Sequence, residues 1–284
     1  MEEQTELTVG SWKQYGKIAG GLLLGGMILF CMLILLLRWV NPPFTAFTLQ
    51  QNWKELDKER YNLREGWLPG NELPDHLKLA VIASEDQRFY AHWGLDFLAI
   101  DKALEEKQNR GRVRGASTIT QQVAKNLFLS PSQTYFRKVV EAGISVLIEV
   151  FWTKERILEV YLNIAEFGPG TFGVNSAAQF YYGKTASRLT PEESARMATV
   201  LPNPKLIEPE PPSEYVLNRS RWILRNMEQL SGRSFLPKPK PELDTLAIKP
   251  DSLPVLQPVD STEYLRIADS VLTGGADSMR TLEY

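Results

Sequence analysis

The chain has 284 residues, with 32 basic and 34 acidic side chains and a formal net charge of -2. That near-neutral balance argues against general nucleic-acid binding, and a hydrophobic content of 43% argues against bulk disorder. A single cysteine, Cys31, excludes an internal disulfide, and with only His76 and His92 a histidine-rich metal site is excluded too.

Residues 1–17 are polar and read as a mobile segment. Ile18 to Leu37 then run for 20 residues without a charge. At 1.5 Å per residue such a helix spans roughly 30 Å, the thickness of a bilayer core. A signal peptide is the rival reading. However, the run exceeds the usual apolar region of about 7–15 residues, and no small-residue cleavage site follows it. Arg38-Trp39 follows instead, as suits a headgroup anchor, so 18–40 reads as an uncleaved transmembrane anchor. Lys13 and Lys17 precede the span, whereas only Arg38 and then Lys54 follow it. This bias favours a cytoplasmic N-terminus and a domain on the outer side of the membrane.

Residues 41–75 form a connector that Pro42-Pro43 separates from the anchor, with Trp53, Tyr61 and Trp67 placed to pack or to sit at the membrane surface. From 76 to about 230 the apolar spacing is persistently helical. It predicts helices over 76–90, 96–109, 117–129, 134–151, 154–165, 173–181, 191–200 and 213–230, hence a mainly α domain over 76–235. Pro-rich Leu201–Pro212 is a loop. Residues 236–284 form a Pro-rich extension in which Pro237–Leu243 reads as a spacer and Glu263–Leu272 as a short helix.

The chemistry concentrates between Ser84 and Glu141. In SEDQRFYAHWG (Ser84–Gly94), Leu77, Val81, Glu85 and Phe89 lie four apart, so Glu85 interrupts an apolar helical line. A carboxylate there is partly desolvated, which raises its pKa and strengthens it as a base. The plainer reading is a solvated Glu85-Asp86 pair at a helix end. In GASTITQQVAKNLFL (Gly115–Leu129), Ser117 or Thr118 caps a helix, and Thr118, Gln122 and Lys125 share its polar face. Hydroxyl, amide and ammonium donors near a helix N-terminus suit a pyrophosphate or sugar. An ordinary polar outer face is the alternative. In RKVVEAGISVLIEVFW (Arg137–Trp152), Arg137 and Glu141 lie four apart, which by itself means no more than an exposed ion pair worth at most about 1 kcal/mol. Apolar Leu127, Phe128 and Leu129, with Tyr135 and Phe136, belong either to the core or to a membrane interface.

These blocks resemble the signature motifs of the peptidoglycan glycosyltransferases, the biosynthetic transglycosylases of glycosyltransferase family 51. The first pattern, Glu-Asp-x-x-Phe-x-x-His-x-Gly, is matched at Glu85, Asp86, Phe89, His92 and Gly94. The second, Gly-x-Ser-Thr-Ile-Thr-Gln-Gln-x-x-Lys-Asn, is followed throughout, including Ser117, Thr118, Gln121, Gln122, Lys125 and Asn126. Arg137, Lys138 and Glu141 match the third. Lys154–Lys184 resembles the remaining motifs, at Arg156, Glu159, Tyr161, Asn163, Gly168 and Gly173 among others, and reads mostly as packing and loop shaping. The resemblance covers about residues 60–230.

It implies a lysozyme-like bilobal helical domain behind one anchor, of the monofunctional kind, working on the periplasmic side of an inner membrane. The implied reaction transfers a lipid-pyrophosphate-linked glycan to the 4-hydroxyl of lipid II with inversion. Glu85 is then the general base and Glu141 the second essential carboxylate. Asp86, Phe89, Ser117, Thr118, Gln121, Gln122, Lys125, Asn126, Arg137 and Lys138 bind substrate. No organic cofactor is implied, and no dinucleotide fingerprint is present. Glu141 either positions the cations or holds a divalent ion, Mg or Mn. Lipid II, the growing glycan, the membrane and other cell-wall synthesis proteins are the implied partners. A lytic enzyme of lysozyme-like fold, and a membrane-tethered scaffold that has lost catalysis, are the competing readings.

Overall fold

The structure, a computed structural model, describes residues 2–50, 66–110, 115–130 and 134–235. The expected mainly α architecture is what it contains. Helix α1 is Glu2–Leu36, and a short α2 follows at Ala46–Gln50. The domain then runs α3 (Asp75–Glu85), α4 (Phe97–Arg110), α5 (Ile119–Phe128), α6 (Tyr135–Phe151) and α7 (Lys154–Ile164). A small antiparallel hairpin, β1 (Glu166–Gly168) and β2 (Thr171–Phe172), leads to α8 (Val174–Tyr182), α9 (Pro191–Val200) and α10 (Glu214–Ser231).

Five helix starts follow from side chains that satisfy orphan amides. Thr118, Thr134, Thr153, Thr190 and Ser213 each accept a hydrogen bond from an amide in the first turn. At Thr118 and Thr190 the bond is reciprocated by Gln121 and Glu193, completing capping boxes.

One expectation is corrected, and three features were not foreseen. The helix predicted over 76–90 stops at Glu85, because Asp86 turns out of helical geometry (φ -158°, ψ 74°) and Phe89–Ala91 winds as a separate 3-10 turn. Within 1–17, the expected mobile segment is helical from Glu2 onward, since a long apolar helix propagates outward at little cost once nucleated. The connector contains a helical turn, closed by mutual hydrogen bonds between Thr45 and Thr48. The hairpin falls where no alternation was visible, its strands being two and three residues long. Trp53, Tyr61 and the extension 236–284 lie outside the described residues.

The helices pack in two groups: α3 with α9 and α10, and α5 with α6 and α7. A continuous apolar core runs through both, from Leu77, Val81 and Phe89 to Ile148, Ile157, Leu162 and Met197. Leu127 joins this core, while Tyr135 and Phe136 are 95% and 79% exposed, so the five residues placed together by sequence divide between core and surface.

Tyr15–Leu36 is long and apolar enough to cross a membrane, with mean hydropathy 2.5 and only 6% of it buried. Its end is fixed to the domain. The Trp152 indole donates to the carbonyl of Ile34 (2.7 Å), and Arg38 donates to the carbonyl of Phe151 (2.9 Å). Arg156, at the start of α7, donates to the carbonyls of Leu37 and Val40 and to the Asn41 amide oxygen. Ile34 is fully buried as a result.

Gly173 joins the hairpin to α8 with φ +80°, and a Cβ there would lie 2.8 Å from the Asn163 carbonyl oxygen. Gly173→Ala is therefore expected to cost at least about 1–3 kcal/mol through backbone strain and that clash, read as a lowered midpoint in thermal denaturation.

Candidate active site

Glu85 is the last residue of α3, half-buried where the helix reaches the surface. Ser84 donates to its Oε1 (3.0 Å) and Gln122 on α5 donates to its Oε2 (3.0 Å). Burial raises its pKa; the bonds from Gln122 and Ser84 and the charge of Arg219 on α10 oppose that rise, and Asp86 adds to it. The outcome is a carboxyl group that holds its proton more tightly than a solvated glutamate, with both oxygens aimed by neutral donors.

Asp86 faces inward. Its carboxylate lies 3.0 Å from Nε2 of His92 through either oxygen and accepts the backbone N–H of Ile119 at 3.1 Å. A ring nitrogen against a carboxylate carries a proton; the other nitrogen of His92 has no partner among the described residues. The loop after Asp86 is secured further along. Lys154 donates to the His92 carbonyl (2.8 Å) and to Glu149 (2.7 Å), and it lies 4.4 Å above the Phe89 ring. Thr120 donates to Glu149 (2.6 Å), and Thr118 donates to the Gly94 carbonyl (2.6 Å). Gly94 has φ +77°, and a Cβ there would press on the Ser145 carbonyl at 3.0 Å, so α6 passes too close for a side chain.

The cationic part lies on α5 and α6. Glu141 is buried, and its two oxygens accept from Arg137 (2.5 Å) and from Lys138. Lys138 also donates to Ser117 (2.9 Å). Burial lowers the pKa of Lys125; Glu141 and Glu85 raise it, while Arg137 and Lys138 lower it further. Lys125 is thus within electrostatic reach of both carboxylates. A cleft of about 170 Å³ opens beside Glu85, with Arg88, Lys102, Ser117 and Thr118 in its walls. A second hollow of about 240 Å³ is lined by Gln122, Lys125, Asn126, Tyr161, Asn203 and Lys205. The Gln122–Glu85 hydrogen bond joins a wall residue of one to a wall residue of the other.

The residues singled out from sequence therefore divide by position. Glu85, Ser117, Gln122, Lys125, Asn126, Arg137, Lys138 and Glu141 are gathered around the two hollows or the ion cluster between α5 and α6. Phe89 is fully buried and Gln121 is 3% exposed with its side chain closing the capping box, so neither offers a surface to a ligand. A helix face read from spacing does not reveal which members turn toward the core. Asp86 and Thr118 reach the cleft wall, but their polar atoms are committed to the fold. Two contributors were given no role in the site from sequence: Ser84, and Tyr161, which was read as packing. The signal for Tyr161 was a polar-tipped aromatic on the apolar side of a helix otherwise lined by Ile157, Leu158, Val160, Leu162 and Ile164.

Both oxygens of Glu141 accept from cations, so a divalent ion there would compete with Arg137 and Lys138. Among the described residues no group of three or more His, Cys, Asp or Glu side chains gathers to hold one.

Residues 51–228 match the family model described as Transglycosylase. A Pseudomonas putida protein called biosynthetic peptidoglycan transglycosylase is 50% identical over 208 residues, 72% of this chain and 87% of its own. Proteins of the same name from Ectopseudomonas mendocina and Stutzerimonas stutzeri are each 48% identical, over 216 and 223 residues, covering 89% and 91% of their lengths and 76% and 78% of this chain.

Asp86→Ala leaves the Ile119 amide and the His92 ring without their acceptor. It is expected to lower stability by about 1.5–3 kcal/mol, seen as an earlier denaturant midpoint with an unchanged slope.

Proposed function

The chain belongs to the transglycosylase family, and from that premise we propose that it polymerises peptidoglycan by moving a lipid-pyrophosphate-linked glycan onto the 4-hydroxyl of lipid II. The observation that carries this reading is the placement of Glu85: a half-buried carboxylate, held by two neutral donors, at the meeting of two hollows.

Glu85 takes the proton of the acceptor hydroxyl as its oxygen attacks the anomeric carbon of the donor. The bond from that carbon to the pyrophosphate oxygen breaks on the opposite face. An α-linked donor therefore becomes a β-linked product, and the electron pair leaves on the pyrophosphate. The raised pKa makes Glu85 a better proton acceptor, provided it begins ionised. The leaving group needs countercharge more than it needs a proton, and Lys125 supplies it, with Lys138 and Arg137 held in place by Glu141. Paired in advance with buried Glu141, Arg137 and Lys138 need little reorganisation as charge develops. The cleft holding Glu85 receives the acceptor and the hollow holding Lys125 receives the donor. No step passes through a metal ion.

The apolar helix Tyr15–Leu36 serves as a single-pass anchor in the cytoplasmic membrane, with the domain on its outer face, where both lipid-borne substrates are presented.

Glu85→Gln keeps the shape and the hydrogen-bonding capacity of the side chain but not the base. Purified and folded, it is expected to form glycan from labelled lipid II about 10²–10⁴-fold more slowly than the parent on a gel. Parent protein that releases fragments from sacculi and makes no polymer would replace this reading with a lytic one. In the parent, the rate is expected to fall as pH drops through the raised pKa of Glu85, because only the ionised form accepts the proton.

A further inference from the structure

Tyr161 is fully buried in the middle of α7, and its hydroxyl donates to Oε1 of Gln122 at 3.0 Å. Gln122 in turn donates through Nε2 to Oε2 of Glu85 at 3.0 Å. We propose that Tyr161 is a positioning residue that fixes which end of the Gln122 amide faces Glu85, and thereby sets the protonation state of the base.

A primary amide is nearly symmetric in shape, and turning it over exchanges a donor for an acceptor. Here its two ends meet different chemistries. An ionised carboxylate can only accept, so the amide must offer it the NH2 end. The carbonyl end then needs a donor, and the phenol is that donor. Without the phenol hydroxyl the reversed amide becomes available. Its carbonyl would repel an ionised Glu85 and accept a hydrogen bond from a protonated one. The phenol therefore favours the ionised base through one intervening side chain. Burial and the charges of Glu85 and Asp86 raise the Tyr161 pKa well above its ordinary value, so it remains a donor wherever Glu85 titrates.

The other groups facing Glu85 do not duplicate this control. Asp86 adjoins it in the chain, Lys125 acts from α5 and Arg219 from α10, all through charge. From α9, the Ala198 carbonyl accepts from Ser84. None of these touches the far end of the Gln122 amide.

The inference rests on Glu85 as the base, and its test separates the two. Tyr161→Phe keeps the ring and its packing. Full-length parent, Tyr161→Phe, Gln122→Ala and the double variant are compared in detergent. The Glu85 carboxyl is titrated by carbon NMR of labelled glutamate, assigned by the signal lost in Glu85→Gln, and lipid II polymerisation is followed against pH. In Tyr161→Phe, the carboxyl titration and the acidic limb of kcat/KM are both expected to move up by about one pH unit. Rates well below the limb then fall about tenfold. The double variant should titrate as Gln122→Ala alone does, since the phenol acts only through the amide. An unmoved carboxyl titration, or shifts that add in the double variant, would overturn the proposal. A carboxyl that moves while the acidic limb stays would uphold Tyr161 and remove Glu85 as the base. Should Tyr161→Phe fail to fold, Gln122→Met, similar in length but without the amide, must raise the carboxyl titration by a comparable amount; an unchanged value would equally refute the idea.

Discussion

The site is held together at the carboxylate of Asp86. Helix α3 packs on α9 and α10, and α5 packs on α6 and α7. Glu85 comes from the first group, and Gln122 and Lys125 come from the second. Asp86 ends α3 and accepts the first amide of α5, where the helix dipole favours a negative charge. It also fixes the His92 ring, and the backbone beyond that ring is in turn held by Lys154 at the head of α7. One side chain thus sets the spacing between the two helix groups at the point where their functional residues meet. The abrupt end of α3 follows from the same bond, since a helix continued to Phe89 would carry Asp86 away from Ile119.

The charges around this tie alternate in sign. Glu85 faces Lys125, which lies within reach of Glu141, which is saturated by Arg137 and Lys138. Burying any one of these alone would be costly, and each would tend to neutralise. Glu141, itself buried, pairs with two cations and holds them toward the space between α5 and α6. An arriving pyrophosphate would thus meet cations already in position.

Much of this was legible in the sequence because it depends on local spacing. The helices of the domain follow from apolar periodicity, and the start of α5 from Thr118 preceding an apolar run. Glu85 interrupts an apolar line, and that interruption leaves it half-buried. Where reading failed, the deciding contact was distant in sequence. Asp86 pairs with an amide 33 residues away and Tyr161 with an amide side chain 39 residues away. Neither can be found from a window of one or two turns. Gln121 and Gln122 are neighbours of the same type, yet one closes a cap and the other reaches Glu85. Only the direction of the helix relative to its neighbours distinguishes them.

The junction between α1 and the domain bears on how the protein can be handled. The Leu37 carbonyl accepts from both Nε and Nη2 of Arg156, and the Ile34 carbonyl receives the Trp152 indole. Those acceptors belong to the last turns of the apolar helix and the residues just beyond it. A soluble truncated form that begins after this point would discard them, leaving a guanidinium and an indole that the fold had enclosed to be satisfied by water or detergent. Arg156 and Tyr161 lie on the same short helix, little more than one turn apart. Disturbance at the cut end would therefore be carried along α7 toward Gln122. A cut placed earlier, within the exposed part of the helix and ahead of Phe30, which packs edge-on against Phe128, would shorten the greasy segment and keep the enclosed acceptors.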